Sequence, residues 1–223
     1  MTDSYRDALD RAVSFSGLSH EFFARAKAEE ALRLARRHLG DPAELDALDA
    51  GCGIGLTDQH LDRRFKSLTG TDVSEDAIAI AKRENPGVSY KLAAPDRVPF
   101  DARTFDFVFA INVVQVVPPA ERGRFVSELA RVTRAGGLVA VFEHNPYNPL
   151  ARLVVRRFEL NENVGMVTLR SSRRLLRQSG LRTVDHGYIL LLPSRRRRLL
   201  ALERAARRLP LGAQYYVAGR RSQ

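Results

Sequence analysis

The stretch 44–56, E-L-D-A-L-D-A-G-C-G-I-G-L, decides the fold of this 223-residue chain. Leu45, Ala47 and Leu48 form a short apolar run that reads as a buried strand ending on Asp49. Glycines follow at every second position, Gly51, Gly53 and Gly55. That spacing lets the backbone turn sharply and lets a ligand approach closer than any Cβ would allow. Residues 57–65 are helix-compatible, so the loop is expected to feed a helix whose first N–H groups point back at the same spot. Strand, glycine loop and helix make the nucleotide-binding half of an open α/β sheet, with the ligand at the carboxyl ends of the strands.

The glycine pattern can be set against its relatives. A dinucleotide fingerprint wants G-x-G-x-x-G, and Leu56 stands where the third glycine would fall. No Gly-Lys-Ser/Thr follows, so a P-loop is excluded. What stands is acid-x-G-x-G-x-G, and in this the sequence resembles the class I S-adenosylmethionine (SAM) methyltransferases. The resemblance implies that Asp49 helps hold the methionine amino group, with Gly51, Cys52, Gly53 and Gly55 packed under the methionine and ribose. A second short strand, residues 67–73, carries Asp72 and Val73 about twenty residues later. A carboxylate there is placed to accept from both ribose hydroxyls. Ser74, backed by Glu75 and Asp76, caps a helix expected to run to about Arg83.

Composition bounds the rest. The length suits one α/β domain with a full core. No apolar stretch reaches the length of a membrane span, and Met1-Thr2-Asp3 does not open a signal peptide. The single cysteine, Cys52, suits a reducing cytoplasm and reads as a small packing residue rather than a reactive thiol. The formal net charge of +10 is unevenly spread. Residues 150–223 carry 17 Lys+Arg against 4 Asp+Glu, whereas residues 1–149 are mildly acidic. No metal site is expected.

Further along, Ser19 is placed to cap a helix stopped by Gly40, with Pro42 beyond. The resemblance makes residues 1–40 a helical lid on the cofactor, with Phe23 and Lys27 as candidates to meet it, Lys27 at its carboxylate. A third strand, 88–92, precedes a loop closed by Val98-Pro99-Phe100. Relatives carry an adenine-binding Asp where Ala94 stands, so either Asp96 or a backbone carbonyl is expected to take over that contact. Residues 105–112, F-D-F-V-F-A-I-N, read as a central parallel strand. Asn112 and the residues after it would sit over the reacting end of the cofactor. Gln115-Val116 replace a His pair common in relatives. A helix over 120–132 with Pro119 in its first turn, the turn 134–137 and a strand over 138–142 complete the family's middle section.

The loop after that strand, Glu143-His144-Asn145-Pro146-Tyr147-Asn148-Pro149, resembles a bacterial branch of the family with an E-H-N-P-x-N-P signature. His144 is the candidate general base, because a hydroxyl acceptor must lose a proton and imidazole is poised for that near neutrality. Glu143 and Tyr147 are alternatives to it. The competing reading is that His144 and Asn145 bond the backbone of a Pro-rich turn. Residues 152–166 read as an irregular or helical insertion, 171–179 as a helix stopped by Gly180, and 181–190 as a sixth strand. Residues 213–219 fit an antiparallel seventh strand. Between those strands, Arg195–Arg198 precede a helix to Leu209 whose basic face either is solvated or rests on an anionic membrane or phosphate-bearing acceptor.

The whole therefore reads as one Rossmann-like, doubly wound α/β domain over 1–223. Its seven-stranded sheet is mostly parallel with strand 7 antiparallel, it carries helices on both faces, and 143–170 and 191–211 form acceptor-side insertions. The resemblance implies a SAM-dependent methyltransferase of a small-molecule or lipid-linked acceptor, releasing S-adenosylhomocysteine. It would be cytoplasmic, with peripheral placement at the inner membrane face if the 195–209 stretch binds lipid. An RNA methyltransferase using the basic third and a non-catalytic SAM binder are the alternatives.

Overall fold

The computed structural model describes residues 10–11, 19–157, 165–191 and 206–222. Seven strands form one sheet in the order β3-β2-β1-β4-β5-β7-β6: β1 Asp46–Ala50, β2 Ser67–Asp72, β3 Ser89–Leu92, β4 Phe105–Ile111, β5 Thr133–His144, β6 Leu181–Ile189 and β7 Gln214–Arg221. The first five run parallel, and β7 inserts antiparallel to both β5 and β6. This is the Rossmann-like arrangement expected from the sequence.

A strand buried on both faces needs apolar side chains on each, and β4 supplies them from Phe107 to Ala110. Phe107 and Phe109 join one core with Leu34 and Phe142, while Val108 and Ala110 join the other with Leu129 and Val141. The α-helices bounded within the described residues are α1 His20–His38, α2 Glu75–Glu84, α3 Arg122–Val132, α4 Pro149–Arg157 and α5 Leu169–Gln178. Ser74 Oγ accepts from Ala77 N and so caps α2 as expected. Ser19 precedes α1 without a side-chain capping bond, and α3 starts at Arg122, two residues later than its sequence suggests.

α1 forms a wall of the crevice. Its Ala28, Ala31, Leu34 and Ala35 are core residues. Arg33 reaches Asp185 at 3.3 Å and Tyr216 Oη at 3.0 Å, and Glu30 pairs with Arg207 at 2.9 Å. These bonds fix α1 to β6, β7 and the turn before β7.

Residues 57–65 depart from the helix expected of them. Only a single 3₁₀ turn, Asp58–His60, forms, and Arg63 takes φ +57°. A left-handed non-glycine residue ends any helix there. Leu61 and Phe65 turn into the core, and Lys66 N already bonds Leu45 O on the way into β2. Too little chain separates the loop from β2 for both a helix and the return. Arg195–Arg198 and the helix expected after them lie outside the described residues up to 205; residues 206–208 form a 3₁₀ turn. No helix among the described residues is long and apolar enough to cross a membrane.

Candidate cofactor and acceptor site

The carboxyl ends of β1, β2 and β4 meet α1 around a cavity of about 590 Å³. Every residue expected to hold the cofactor lines it except Gly55: Lys27, Asp49, Gly51, Cys52, Gly53, Asp72, Val73, Ala94 and Asn112 are all in its wall, as is His144. Gly55 sits just behind. A Cβ there would lie 2.4 Å from Asn85 Nδ2, so that glycine makes room for α2 rather than for a ligand.

The loop is braced by its own main chain. Gly51 N and Cys52 N donate to Thr71 O at 2.7 and 2.9 Å, and Gly53 N donates to Asp72 Oδ2 at 2.8 Å. Asp72 Oδ1 accepts from Ser74 N at 3.0 Å, so this acid joins the loop to the start of α2. With no helix after the loop, these N–H groups are engaged inside the protein and do not form a helix-terminus anion site. Gly53 takes φ +55° with open space where a Cβ would stand. A bare patch of main chain thus faces the cavity between two acids. The Cys52 thiol packs against the core, and burial beside Asp49, Asp58 and Asp72 raises its pKa far beyond the thiolate range.

Behind the patch lies a group of buried ionisable side chains. Asp49 is 2% exposed, and its carboxyl is hydrogen-bonded to the neighbouring Asp58 carboxyl, a contact that needs a proton on the pair. Desolvation, with Asp58 and Asp72 close by, holds its carboxyl well above the usual range, against the pull of Lys27. Desolvation lowers Lys27 to about 8, although Asp49 and Glu143 favour its charge. Glu143, fully buried, is pushed up to about 8 by desolvation; its Oε1 accepts from Val114 N at 2.7 Å and its Oε2 is unpartnered. Desolvation also raises Asp58 to about 6, opposed by the Tyr90 hydroxyl donating to it at 2.9 Å. Buried, poorly paired carboxyls with raised pKa values at the wall of a cavity make it a candidate functional site. Tyr90→Phe removes the donor to Asp58, and the expected result is a loss of about 1–3 kcal/mol in denaturant unfolding.

His144 lies in the wall as expected, but it is not poised near neutrality. Desolvation, reinforced by the charge of Lys27, lowers it to about 3. Its Nδ1 is 3.0–3.1 Å from the Gln115 amide, which leaves Nε2 for the cavity. Asn145 and Asn148 explain the rest of the loop. Asn145 Nδ2 donates to Pro210 O at 3.0 Å and to Gly212 O at 2.9 Å, and Asn148 Nδ2 donates to Leu211 O at 2.7 Å. Asn148 Oδ1 also accepts from Ala151 N in the first turn of α4. Asp96 lines the cavity beside Ala94, but its carboxylate is paired with Arg124 at 2.8 Å. Beyond His144 the wall turns apolar, with Val116, Val117, Leu150, Val154, Val155 and Leu191. Sequence reasoning missed Asp58, Tyr90 and the burial of Glu143; Asp58, three residues past the last glycine, was the one available signal.

A 3-2-1-4-5-7-6 sheet with acids at the ends of β1 and β2 flanking a glycine crevice defines a Rossmann-like class I methyltransferase fold. Residues 48–141, less than half of the chain, match the family model described as a methyltransferase domain. The match stops short of Glu143 and the E-H-N-P-Y-N-P loop. The ubiquinone biosynthesis O-methyltransferase of Rhizobium leguminosarum is 33% identical over 115 residues, which cover 50% of this chain and 45% of that protein. A sterol 4-C-methyltransferase of Caenorhabditis elegans is 32% identical over 131 residues, 54% of this chain and 39% of that protein. The chain thus spans less than half the length of these two relatives. The crystal structure of magnesium protoporphyrin IX methyltransferase from Synechocystis with bound S-adenosylhomocysteine shares the fold, with a TM-score of 0.63 at 15% identity over 89% of this chain and 83% of that one.

Proposed function

We propose that this chain transfers a methyl group from SAM to a small-molecule or lipid-linked acceptor. The observation that carries the reading is the buried carboxyl of Asp49, apposed to Asp58 and with no cationic partner at hydrogen-bond distance, beside the bare main chain of Gly53. An ammonium group is the guest that would draw Asp49 into its charged form, and the cavity volume falls in the range of small-molecule sites. When bound, SAM supplies a methyl group on a sulfonium, the electrophile of the reaction. Asp49 would hold the ammonium end and Lys27 the carboxylate of the same amino-acid portion. Asp72, with accepting capacity left on both oxygens, would take the ribose hydroxyls. Val73 and Ala94 would border the base, where backbone carbonyls replace the carboxylate that Ala94 lacks, since Asp96 is paired elsewhere. Asn112, held by Gln214 Nε2 at 3.3 Å, would border the reacting end.

The apolar wall beyond His144 favours an acceptor with a hydrocarbon body, and alignment in that wall provides much of the acceleration of an in-line transfer. With Nδ1–H donated to Gln115 Oε1, a neutral His144 would present a bare Nε2 to the proton of an acceptor hydroxyl. Because its folded pKa is about 3, the wild-type pH–rate profile is expected to show no histidine limb between pH 5 and 7. His144→Ala is expected to lower kcat roughly 100-fold or more on a hydroxyl acceptor. Unchanged turnover in that variant would assign the proton elsewhere. The function itself is tested by titrating SAM and S-adenosylhomocysteine calorimetrically, then assaying labelled methyl transfer on lipid, RNA and aqueous fractions of a cell extract. Incorporation confined to RNA, or no SAM binding, would overturn the reading.

A further inference from the structure

A second cavity, about 1000 Å³, lies along α5 and the edge strand β6. Arg170, Arg173, Arg174, Arg177 and Arg182 line it together with Tyr147, and no carboxylate is among its described lining residues. All five guanidinium groups are exposed, and none makes an ion pair among the described residues. An ordinary solvated face mixes both signs; this one concentrates a single sign.

Tyr147 joins the arginines to an apolar edge. It is 73% exposed on the loop between His144 and α4, and that loop is tied by Asn145 and Asn148 to residues 210–213. The tie sets Tyr147 and Leu150, which is 50% exposed, beside the turn that carries Leu209 and Leu211, 51% and 56% exposed. Leu150 also lines the methyl-transfer cavity, so the edge borders its mouth. Large apolar side chains at loop tips, next to a stripe of unpaired arginines, match an anionic bilayer in both its layers. The leucines and tyrosine suit the acyl boundary and the arginines suit the headgroups.

We infer that α5, the 147–150 loop and the 209–211 turn form a docking face for an anionic lipid surface, on which the cavity mouth opens toward the lipid. The entry of acceptor from the bilayer rests on the proposed methyl-transfer reading; the docking itself does not. The test is co-sedimentation of the full chain with vesicles of phosphatidylcholine alone and of phosphatidylcholine mixed with phosphatidylglycerol. Partitioning onto the anionic vesicles only, weakening as salt rises, is expected. Replacing Arg173, Arg174 and Arg177 together by Gln should reduce it roughly 100-fold, at about tenfold or less per guanidinium. Leu209→Ser with Leu211→Ser should reduce it roughly tenfold or more. Both variants should bind SAM as the unsubstituted chain does, which certifies their fold. Equal partitioning onto neutral vesicles, no effect of either variant, loss only when Arg195–Arg198 are replaced by Gln, or tighter binding of single-stranded RNA than of vesicles would each overturn the inference. Vesicle binding without SAM binding would uphold this face and defeat the enzymatic reading.

Discussion

Asp49→Asn is expected to weaken SAM binding roughly 10²–10³-fold while raising the melting temperature of the cofactor-free protein. The two effects share one cause. The Asp49 carboxyl is 2% exposed, apposed to Asp58 and near Asp72. Replacing one of two apposed buried acids relieves about 1–3 kcal/mol, or about 2–12 °C for a chain of this size. The amide cannot neutralise a bound ammonium, and leaving one buried charge unpaired typically costs about 3–5 kcal/mol, which gives the loss of affinity. Calorimetric titration and thermal melts of the same preparation check both halves. Normal SAM affinity in the variant would remove Asp49 from the site.

The same chemistry fixes the pH dependence of stability without added cofactor. Unfolded carboxyls ionise near 3.8–4.5, whereas the folded state delays Asp58 to about 6 and Glu143 to about 8, with Asp49 shifted the same way. Between those limits the folded state holds more protons than the unfolded, so this contribution to stability is fully present below pH 4 and declines as pH rises toward 8. Lys27 acts in the opposite sense above that. It deprotonates at about 8 when folded and at 10.5 when unfolded, so its burial penalty is relieved as pH climbs from 8 to 10.5. A bound ammonium would draw Asp49 back to its charged form. SAM binding near neutrality is therefore expected to release protons, visible as a binding enthalpy that differs between two buffers of unlike ionisation heat.

Gly51→Ala and Gly53→Ala should fail in different ways. At Gly51, φ is +85° and an added Cβ would lie 2.5 Å from Val113 Cγ2. Left-handed strain of about 1–2 kcal/mol then adds to overpacking of about 1–3 kcal/mol. The expected fall in melting temperature is about 4–20 °C. At Gly53, φ is +55° but a Cβ meets nothing within 4 Å. Only the strain remains, so the fold survives while the methyl occupies the bare patch facing the cavity, and SAM affinity should fall more than roughly tenfold. Gly53→Ala binding SAM normally would mean that the ligand does not approach the main chain there.

The parts of this molecule legible in the sequence are those whose chemistry is local. Asp49, the alternate glycines and Asp72 lie on two short stretches, and each carries its own reason to be where it is. The seventh strand was legible through the family resemblance, which calls for an antiparallel strand that residues 213–219 fit, and there Tyr215, Tyr216 and Val217 are buried. What could not be read depends on distant packing. Residues 57–65 have a helical composition, yet their fate was decided by the entry into β2 and by Tyr90 on β3 drawing Asp58 inward. His144 belongs to a residue type that titrates near neutrality, but burial and Lys27, 117 positions earlier, displace it. Asn145 and Asn148 show polar loop residues serving architecture beside a candidate reacting group.

The placement of β7 between β5 and β6 also bears on how the chain is made. A ribosome emits β5 about 70 residues before β7, roughly 4–14 s at ordinary elongation rates. For that interval Val139, Val141 and Phe142 lie on an edge with every main-chain group on one side unpaired, and β6 has nothing to join. Such an edge templates aggregation. Slow codons after residue 144, or scarcity of trigger-type chaperones, should therefore lower the soluble yield more than changes upstream of β4.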